Sequence, residues 1–213
     1  MTTTASHGSN GVRDWWLRTL LVLQNPRPVF AALRDESREA LSDRSEQVLL
    51  IVLLSGIAYS LDTPTASHLM DDSSYDGLLV AVWAFIAGGI VGSAAYFVLG
   101  ALLHVAVKVL GSQGTYRRSR HVLAFAAAPL ALSLVLWPVK LALYGEDSFR
   151  AGGADAGGGA HAFPALEAVF LAWAVVLLVA GVRAVHGWTW SRALAAVGLA
   201  AALPVLAALA FWA

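Results

Sequence analysis

Five uncharged apolar runs constrain the fold more than any other feature of this sequence. They lack Asp, Glu, Lys and Arg and cover residues 47–61, 77–107, 121–139, 168–182 and 193–213. A helix needs about 20 mostly apolar residues to cross a bilayer core. The second, third and fifth runs reach that length. The first reaches it if the helix extends through Glu46 and Asp62, and the fourth reaches it if the helix begins at Phe163. Because the runs show no two-residue period, we predict an all-α polytopic membrane bundle of five transmembrane helices, or of four if a short run does not cross.

The composition agrees with a membrane protein. The chain is 58% hydrophobic and 13% charged, whereas a soluble domain is about a quarter charged. The absence of cysteine excludes disulfides, thiol catalysis and cysteine metal sites. The formal net charge is zero and the basic residues flank the apolar runs, so we expect no nucleic-acid partner.

The charged residues alternate in sign along the chain and predict its orientation. Cytoplasmic loops of membrane proteins carry an excess of Lys and Arg. Arginines precede the first run, and the second and fourth connections are basic: their residues are Lys108, Arg117, Arg118, Arg120, Arg183 and Arg192. The first connection has four aspartates and no Lys or Arg. We therefore predict a cytoplasmic N-terminus, a C-terminus outside, and a cytoplasmic basic face whose first role is to set this topology.

The segment before the first run divides in two. Residues 1–13 are small and polar and are expected to be disordered, whereas residues 14–44 are expected to form cytoplasmic amphipathic or interfacial helices. Trp15 and Trp16 could lie on the bilayer surface, or their helix could pack under the bundle. Residues 45–213 form the predicted membrane domain.

The order of these features resembles the Yip1 domain family. The segment "LQNPRPVFAAL" precedes the first run, and "LGSQGTYRRSRHVLAFAAAP" joins the second to the third and leads to Pro129. A short turn in "GVRAVHGWTWSRALAAV" joins the last two. The resemblance covers roughly residues 24–213 and looks like that of a prokaryotic member. It implies a five-span membrane protein without a catalytic signature, and some bacterial members accompany transporters as accessory proteins.

Small residues recur at four-residue spacing in the second run and are expected to let helices approach closely: Gly88, Gly89, Gly92, Ser93 and Gly100. They serve either packing within the chain or a surface for a homodimer or another membrane protein. Prolines inside the runs are expected to kink the helices, each freeing a backbone carbonyl: Pro129, Pro138 and Pro204.

Ionisable residues within the runs are few, and they carry the remaining hypotheses. Lys140 and Glu167 fall near the predicted outer interface, where they either pair or reach the head groups separately. His104, His121 and His186 lie near the cytoplasmic face as neutral interfacial residues or as a metal or proton site. No P-loop or G-x-S-x-G motif is present, so we expect no cofactor and no catalytic residue.

Three functions remain at this stage. The first is a non-catalytic accessory or scaffold protein for a transporter or another membrane protein, in the plasma membrane of a bacterium. The second is a lipid-binding or transport protein with a cavity between kinked helices. A membrane enzyme is the third, and the sequence offers it no cluster of acids, bases or nucleophiles.

Overall fold

The structure, a computed structural model, describes residues 7–153 and 159–212, and it is helical throughout with no strand in those residues. Ten α-helices follow in chain order: α1 His7–Leu21, α2 Pro26–Ala32, α3 Arg38–Asp43, α4 Ser45–Leu61, α5 Gly77–Val109, α6 Tyr116–Ala126, α7 Ala128–Ser133, α8 Leu136–Tyr144, α9 Gly159–His186 and α10 Trp190–Trp212. Two 3-10 helices, Ala66–Asp71 and Gly145–Phe149, lie in the connections.

Four stretches are long and apolar enough to cross a membrane. They are Arg38–Leu61, Gly77–Val109, Tyr116–Phe149 and Ala160–His186. The helix predicted as the fifth span, α10, contributes the shorter apolar stretch Trp190–Leu206. The prediction of a multi-span helical bundle is thus confirmed for four spans, and the fifth span stays a prediction.

The structure divides into two compact units, each with its own core. The first contains the described residues of Met1–Leu49, Ala95–Ala126 and Val175–Ala213, and the second contains those of Leu50–Ala94 and Ala127–Ala174. The core of the second unit is formed by Ala66, Leu69, Met70, Val80, Trp137 and Phe149.

The N-terminal helices belong to the first unit and are held by buried apolar side chains. Pro26 begins α2, where a missing N–H costs no helical hydrogen bond. Phe30, on α2, is completely buried, and its ring lies where a Cβ on Gly181 would be. The α1 helix contacts α2 and α3 and still exposes Leu17 and Leu20. These helices are therefore packed on the chain and also present apolar side chains outward.

The beginning of α1 differs from the sequence-based expectation. Residues 1–6 lie outside the described part of the chain, but α1 begins at His7, within the segment expected to be disordered. Glycine and small polar residues are poor helix formers, which is why the sequence alone predicted no helix there. The α1 helix as a whole contacts α2 and α3.

The prolines divide the third spanning stretch into three short helices. A proline has no N–H to donate, and its ring displaces the carbonyl four residues earlier. Pro129 is near the start of α7, and α8 begins at Leu136, two residues before Pro138. Pro204 lies inside α10, which continues through it. Breaks thus accompany two of the three prolines that were expected to kink their helices.

Candidate functional site

A cavity of about 330 Å³ opens in the second unit, beside the C-terminal end of α4 and the first turns of α9. Its ionisable lining residues are Asp62, His68, Lys140 and Glu167. The remaining lining residues are Leu61, Thr63, Pro64, Ser67, Ser148, Ala160, Phe163 and Pro164. Lys140 and Glu167 therefore line the same cavity. The cavity also contains a second carboxyl group, that of Asp62, which was not predicted from the sequence as a site residue.

Asp62 has an altered affinity for protons in this cavity. Its Oδ1 accepts a hydrogen bond from Trp137 Nε1 at 3.2 Å, and its carboxyl group also lies within hydrogen-bonding reach of Glu167. Asp62 is an exposed residue overall that lines the cavity, and the neighbouring protein partly desolvates its carboxyl group. This desolvation, followed by the negative charge of Glu167, raises the pKa of Asp62 to about 7.

Lys140 stands beside this pair. Its Nζ lies 4.5 Å from the centre of the Trp137 ring, and its positive charge lowers the pKa of Asp62, in opposition to the larger effects of burial and Glu167. The ion pairs among the described residues are His68–Asp71, Glu36–Arg118 and Glu146–Arg150. A direct pair between Lys140 and Glu167 thus stays a prediction, although both side chains line the same cavity.

Trp137 gives the cavity a fixed wall. It is only 7% exposed and stacks on Phe149, with ring centres 5.5 Å apart and planes 10° from parallel. Because this packing holds the indole in place, the N–H that binds Asp62 has a defined direction.

Two polar groups at the cavity lack their usual partners. Pro164 lies inside α9, so the carbonyl of Ala160 receives no helical hydrogen bond from it. Ser148 is 4% exposed, and its Oγ has no hydrogen-bond partner among the described residues. Buried polar groups normally find a partner, so this cavity has unused hydrogen-bonding capacity.

The predicted basic face lies in the first unit, where Arg118 is used inside the chain. Arg118 Nη2 lies 3.2 Å from Glu36 Oε2 and donates to the carbonyl of Arg34 at 3.1 Å. Thr115 Oγ1 also donates to Glu36. The connection between α5 and α6 is thereby joined to the segment between α2 and α3.

Aromatic rings surround Arg120. Its guanidinium carbon lies 5.1, 4.7 and 4.5 Å from the ring centres of Tyr96, Phe97 and Tyr116. The side chain also occupies the space where a Cβ on Gly100 would be. A guanidinium among aromatic faces gains cation–π attraction, so Arg120 is an internal contact rather than a free surface charge.

The remaining basic residues differ in exposure. Arg183 lies 4.7 Å from the Trp190 ring centre and Arg192 4.3 Å from that of Trp188. Arg192 also donates to the carbonyl of Leu110. Lys108 and Arg117 are exposed. Arg192 is exposed too, although it makes the two contacts just described.

A second cavity, of about 270 Å³ within the first unit, is lined by Arg27, Arg34 and Arg183, with Ala31, Ala184, Gly187 and Trp188. Arg34 Nε donates to the carbonyl of Val185 at 3.1 Å, and its Nη2 donates to that of Ala184. These carbonyls end α9, where the helix dipole is negative. Arg34 therefore has a structural reason to lie here.

The small residues of α5 are divided between an internal contact and a more open surface. In the second unit, a Cβ on Gly92 would strike the carbonyl of Val52, and one on Gly88 would lie 2.6 Å from the backbone of Ile57. Gly56, on α4, faces the same contact. Gly89 is half-buried, with a side-chain atom of Leu53 at 3.8 Å from its Cβ position, and Ser93 is exposed. Gly88 and Gly92 thus serve the α4–α5 contact within the chain.

The three histidines expected near the cytoplasmic face have separate surroundings in the first unit. His121 is buried, His104 lies 5.8 Å from the Tyr116 ring centre, and His186 Nδ1 lies 3.1 Å from Ser112 Oγ. Within residues 7–153 and 159–212, no three His, Cys, Asp or Glu side chains form a group that could hold a metal ion.

Comparison with known proteins gives one match. The family model described as "Yip1 domain" matches residues 20–212, which is nearly the whole chain. No curated protein and no solved structure matches.

Proposed function

Because the chain belongs to the Yip1 domain family, we propose that this multi-pass membrane protein works without a catalytic site, as an accessory or scaffold protein for another membrane protein such as a transporter. The observation that carries the proposal is the ordered attachment of the N-terminal helices in the first unit. Arg118 binds Glu36, and Arg34 caps the end of α9. A partner would therefore meet a preformed surface, which lowers the entropic cost of association.

The proposed setting is the plasma membrane of a bacterium, with five spans, the N-terminus in the cytoplasm and the C-terminus outside. The alternation of basic and acidic connections supports this orientation. The 23-residue length of α10 supports a fifth span. On this orientation, the exposed Lys108 and Arg117 lie on the cytoplasmic surface that the partner contacts. A second copy of the chain would use the more open Gly89 and Ser93 on α5.

The test of the accessory role is cross-linking in native membranes with Arg118→Gln. This substitution removes the ion pair to Glu36 and the hydrogen bond to the carbonyl of Arg34, so we expect the cross-linked partner to be lost. Arg150→Gln is the matched control, because it removes the exposed Glu146–Arg150 pair of the second unit. Equal cross-linking of the two variants, at wild-type level, would contradict the proposal.

A second candidate function is lipid binding, and the cavity at Asp62, Lys140 and Glu167 favours it. The cavity adjoins the last residue of α4 and the first turns of α9, where apolar helices end and lipid head groups begin. Native mass spectrometry after gentle extraction tests this candidate: one lipid class retained in stoichiometric amount supports it, and a lipid-free protein counts against it.

A further inference from the structure

The cavity of the second unit offers more hydrogen-bond acceptors than donors. The acceptors are the carboxyl groups of Asp62 and Glu167, and Ala160, whose carbonyl lacks its helical partner at Pro164, also lines the cavity. Lys140 is the clearest donor, and its ammonium group lies over the Trp137 ring. A positively charged donor is therefore the group that this arrangement is best able to accept.

The charges exclude the main alternatives. An anion would meet two carboxyl groups at close range, and like charges repel. A divalent metal would need several oxygen ligands, but no group of three suitable side chains is present among the described residues, and the charge of Lys140 would repel the ion. A monovalent organic cation needs fewer oxygen ligands than a divalent metal, and Lys140 repels its single charge less strongly.

Ser148 provides an independent indication of a ligand. It lines the cavity, is 4% exposed, and its Oγ is without a partner in the described residues. An ammonium group carries up to three N–H donors. It could therefore satisfy the carboxyl pair and keep one N–H for a further acceptor in the cavity wall.

We infer that this cavity binds a primary ammonium group between Asp62 and Glu167, supplied by the amine head group of a lipid or by a free amine. The inference rests on the second candidate function, lipid binding, and names its chemistry. The ammonium donates its N–H groups to the two carboxyl groups. The volume of about 330 Å³ lies at the small end of ligand sites, which span about 300–1,000 Å³. It suits a head group with the acyl chains left outside.

The experiment uses the full-length protein in mild detergent with two lipid probes. Phosphatidylethanolamine and phosphatidylglycerol are added in equal amounts and retention is measured by native mass spectrometry. Charge-assisted hydrogen bonds favour the amine, so we expect phosphatidylethanolamine to be retained about tenfold better. A parallel arm measures the shift of the thermal unfolding midpoint by ethanolamine hydrochloride, against the same concentration of sodium chloride.

The variant that tests the site is Asp62→Asn with Glu167→Gln, which preserves side-chain size and removes the acceptor charge. We expect it to lose the preference for phosphatidylethanolamine. The matched control is Asp72→Asn with Glu146→Gln, which removes two acidic side chains of the same unit that do not line the cavity and should leave the preference unchanged. If the site variant does not fold, the selectivity of the wild-type protein decides the question.

The outcomes distinguish the ammonium inference from the lipid-binding function on which it rests. Equal retention of the two lipids overturns the ammonium inference and leaves lipid binding standing. Retention of neither lipid, with no effect of ethanolamine, overturns both. Selective retention of phosphatidylethanolamine alone identifies the source as a lipid head group, whereas stabilisation by ethanolamine without lipid retention identifies a free amine.

Discussion

At the residue scale, the behaviour of Asp62 depends on three neighbours that are distant in sequence. Trp137 donates a hydrogen bond to it, Glu167 raises its pKa and Lys140 lowers it. Burial by the surrounding protein exceeds each of these effects. An acidic residue directly after a spanning helix would ordinarily be a solvated interfacial charge, and here it holds a proton near neutral pH.

The raised pKa predicts a pH-dependent effect of Asp62→Asn. A carboxyl group that binds its proton more tightly in the folded state adds stability at low pH, and that contribution is lost as pH rises from 3.8 towards about 7. Above that range the wild-type protein carries an ionised group beside Glu167, with Lys140 and His68 as the other ionisable lining residues. We therefore expect Asp62→Asn to raise the unfolding midpoint most at about pH 8, and progressively less as pH falls towards 3.8.

The control for this measurement is Asp71→Asn, for which the opposite sign is expected. Hydrogen bonds from the Ala151 N–H and from His68 lower the pKa of Asp71. Its contribution to stability is therefore present above the ordinary aspartate pKa and is lost as pH falls. Asp71→Asn should thus lower the midpoint near neutral pH. An effect of Asp62→Asn that stays constant across the pH range would contradict the assignment.

At the element scale, glycine sets how closely α4 and α5 approach. Small residues let helix backbones come together, and in a bilayer this packing is a main source of helix association. Gly56, Gly88 and Gly92 lie at one contact in the second unit. Part of the four-residue pattern that suggests a dimer surface is thus occupied by a contact within the chain. The side of α5 on which a glycine lies decides whether it packs against α4 or belongs to the more open surface.

Gly92→Ala and Gly89→Ala form a matched pair that tests this division. A Cβ at position 92 would overlap the carbonyl of Val52, whereas one at position 89 meets only the Leu53 side chain at 3.8 Å. Overpacking costs about 1–3 kcal/mol, and we expect Gly92→Ala to lose stability on this scale. Gly89→Ala should be neutral or slightly stabilising, because alanine is the better helix former. Unfolding in mixed detergent measures both, and equal stabilities would argue against the close α4–α5 contact.

At the scale of the whole molecule, the first unit joins the N-terminal helices to the ends of the spanning helices. Its contacts are polar and specific, such as Arg34 with the last carbonyls of α9 and Arg118 with Glu36. Phe30 adds a buried apolar contact at Gly181. The described part of the segment before the first span is therefore an integral part of the first unit.

The absence of cysteine makes the proposed orientation directly measurable. Single substitutions Ser73→Cys and Gln113→Cys place one thiol at an exposed position in the first and second connections, respectively. In intact cells, a membrane-impermeant maleimide should label the first, while the second should be labelled only after the membrane is opened. The reverse pattern would invert the topology, and labelling of both positions in intact cells would place both connections outside.

The sequence by itself determined the helical membrane class, four of the spanning stretches and the membership of the Yip1 domain family. The membrane class and the spanning stretches follow from local properties, because the transfer of an apolar run into lipid depends mainly on its own length and composition. The prolines at residues 129 and 138 likewise indicated where the third span is interrupted, because a missing N–H acts on its own helix.

The tertiary structure alone decided which residues meet. Asp62 and Trp137 are 75 residues apart, and Glu36 pairs with Arg118 although two spanning stretches lie between them along the chain. Such contacts depend on the rotation of each helix about its own axis. An apolar run without charged residues has no helical periodicity from which that rotation could be predicted. Asp62 could have been grouped with Lys140 and Glu167 from the sequence, because each lies at an end of an apolar run that is predicted to be on the outer side of the membrane. The roles of Ser148 and Pro164 became visible only with the cavity, because packing between helices creates it.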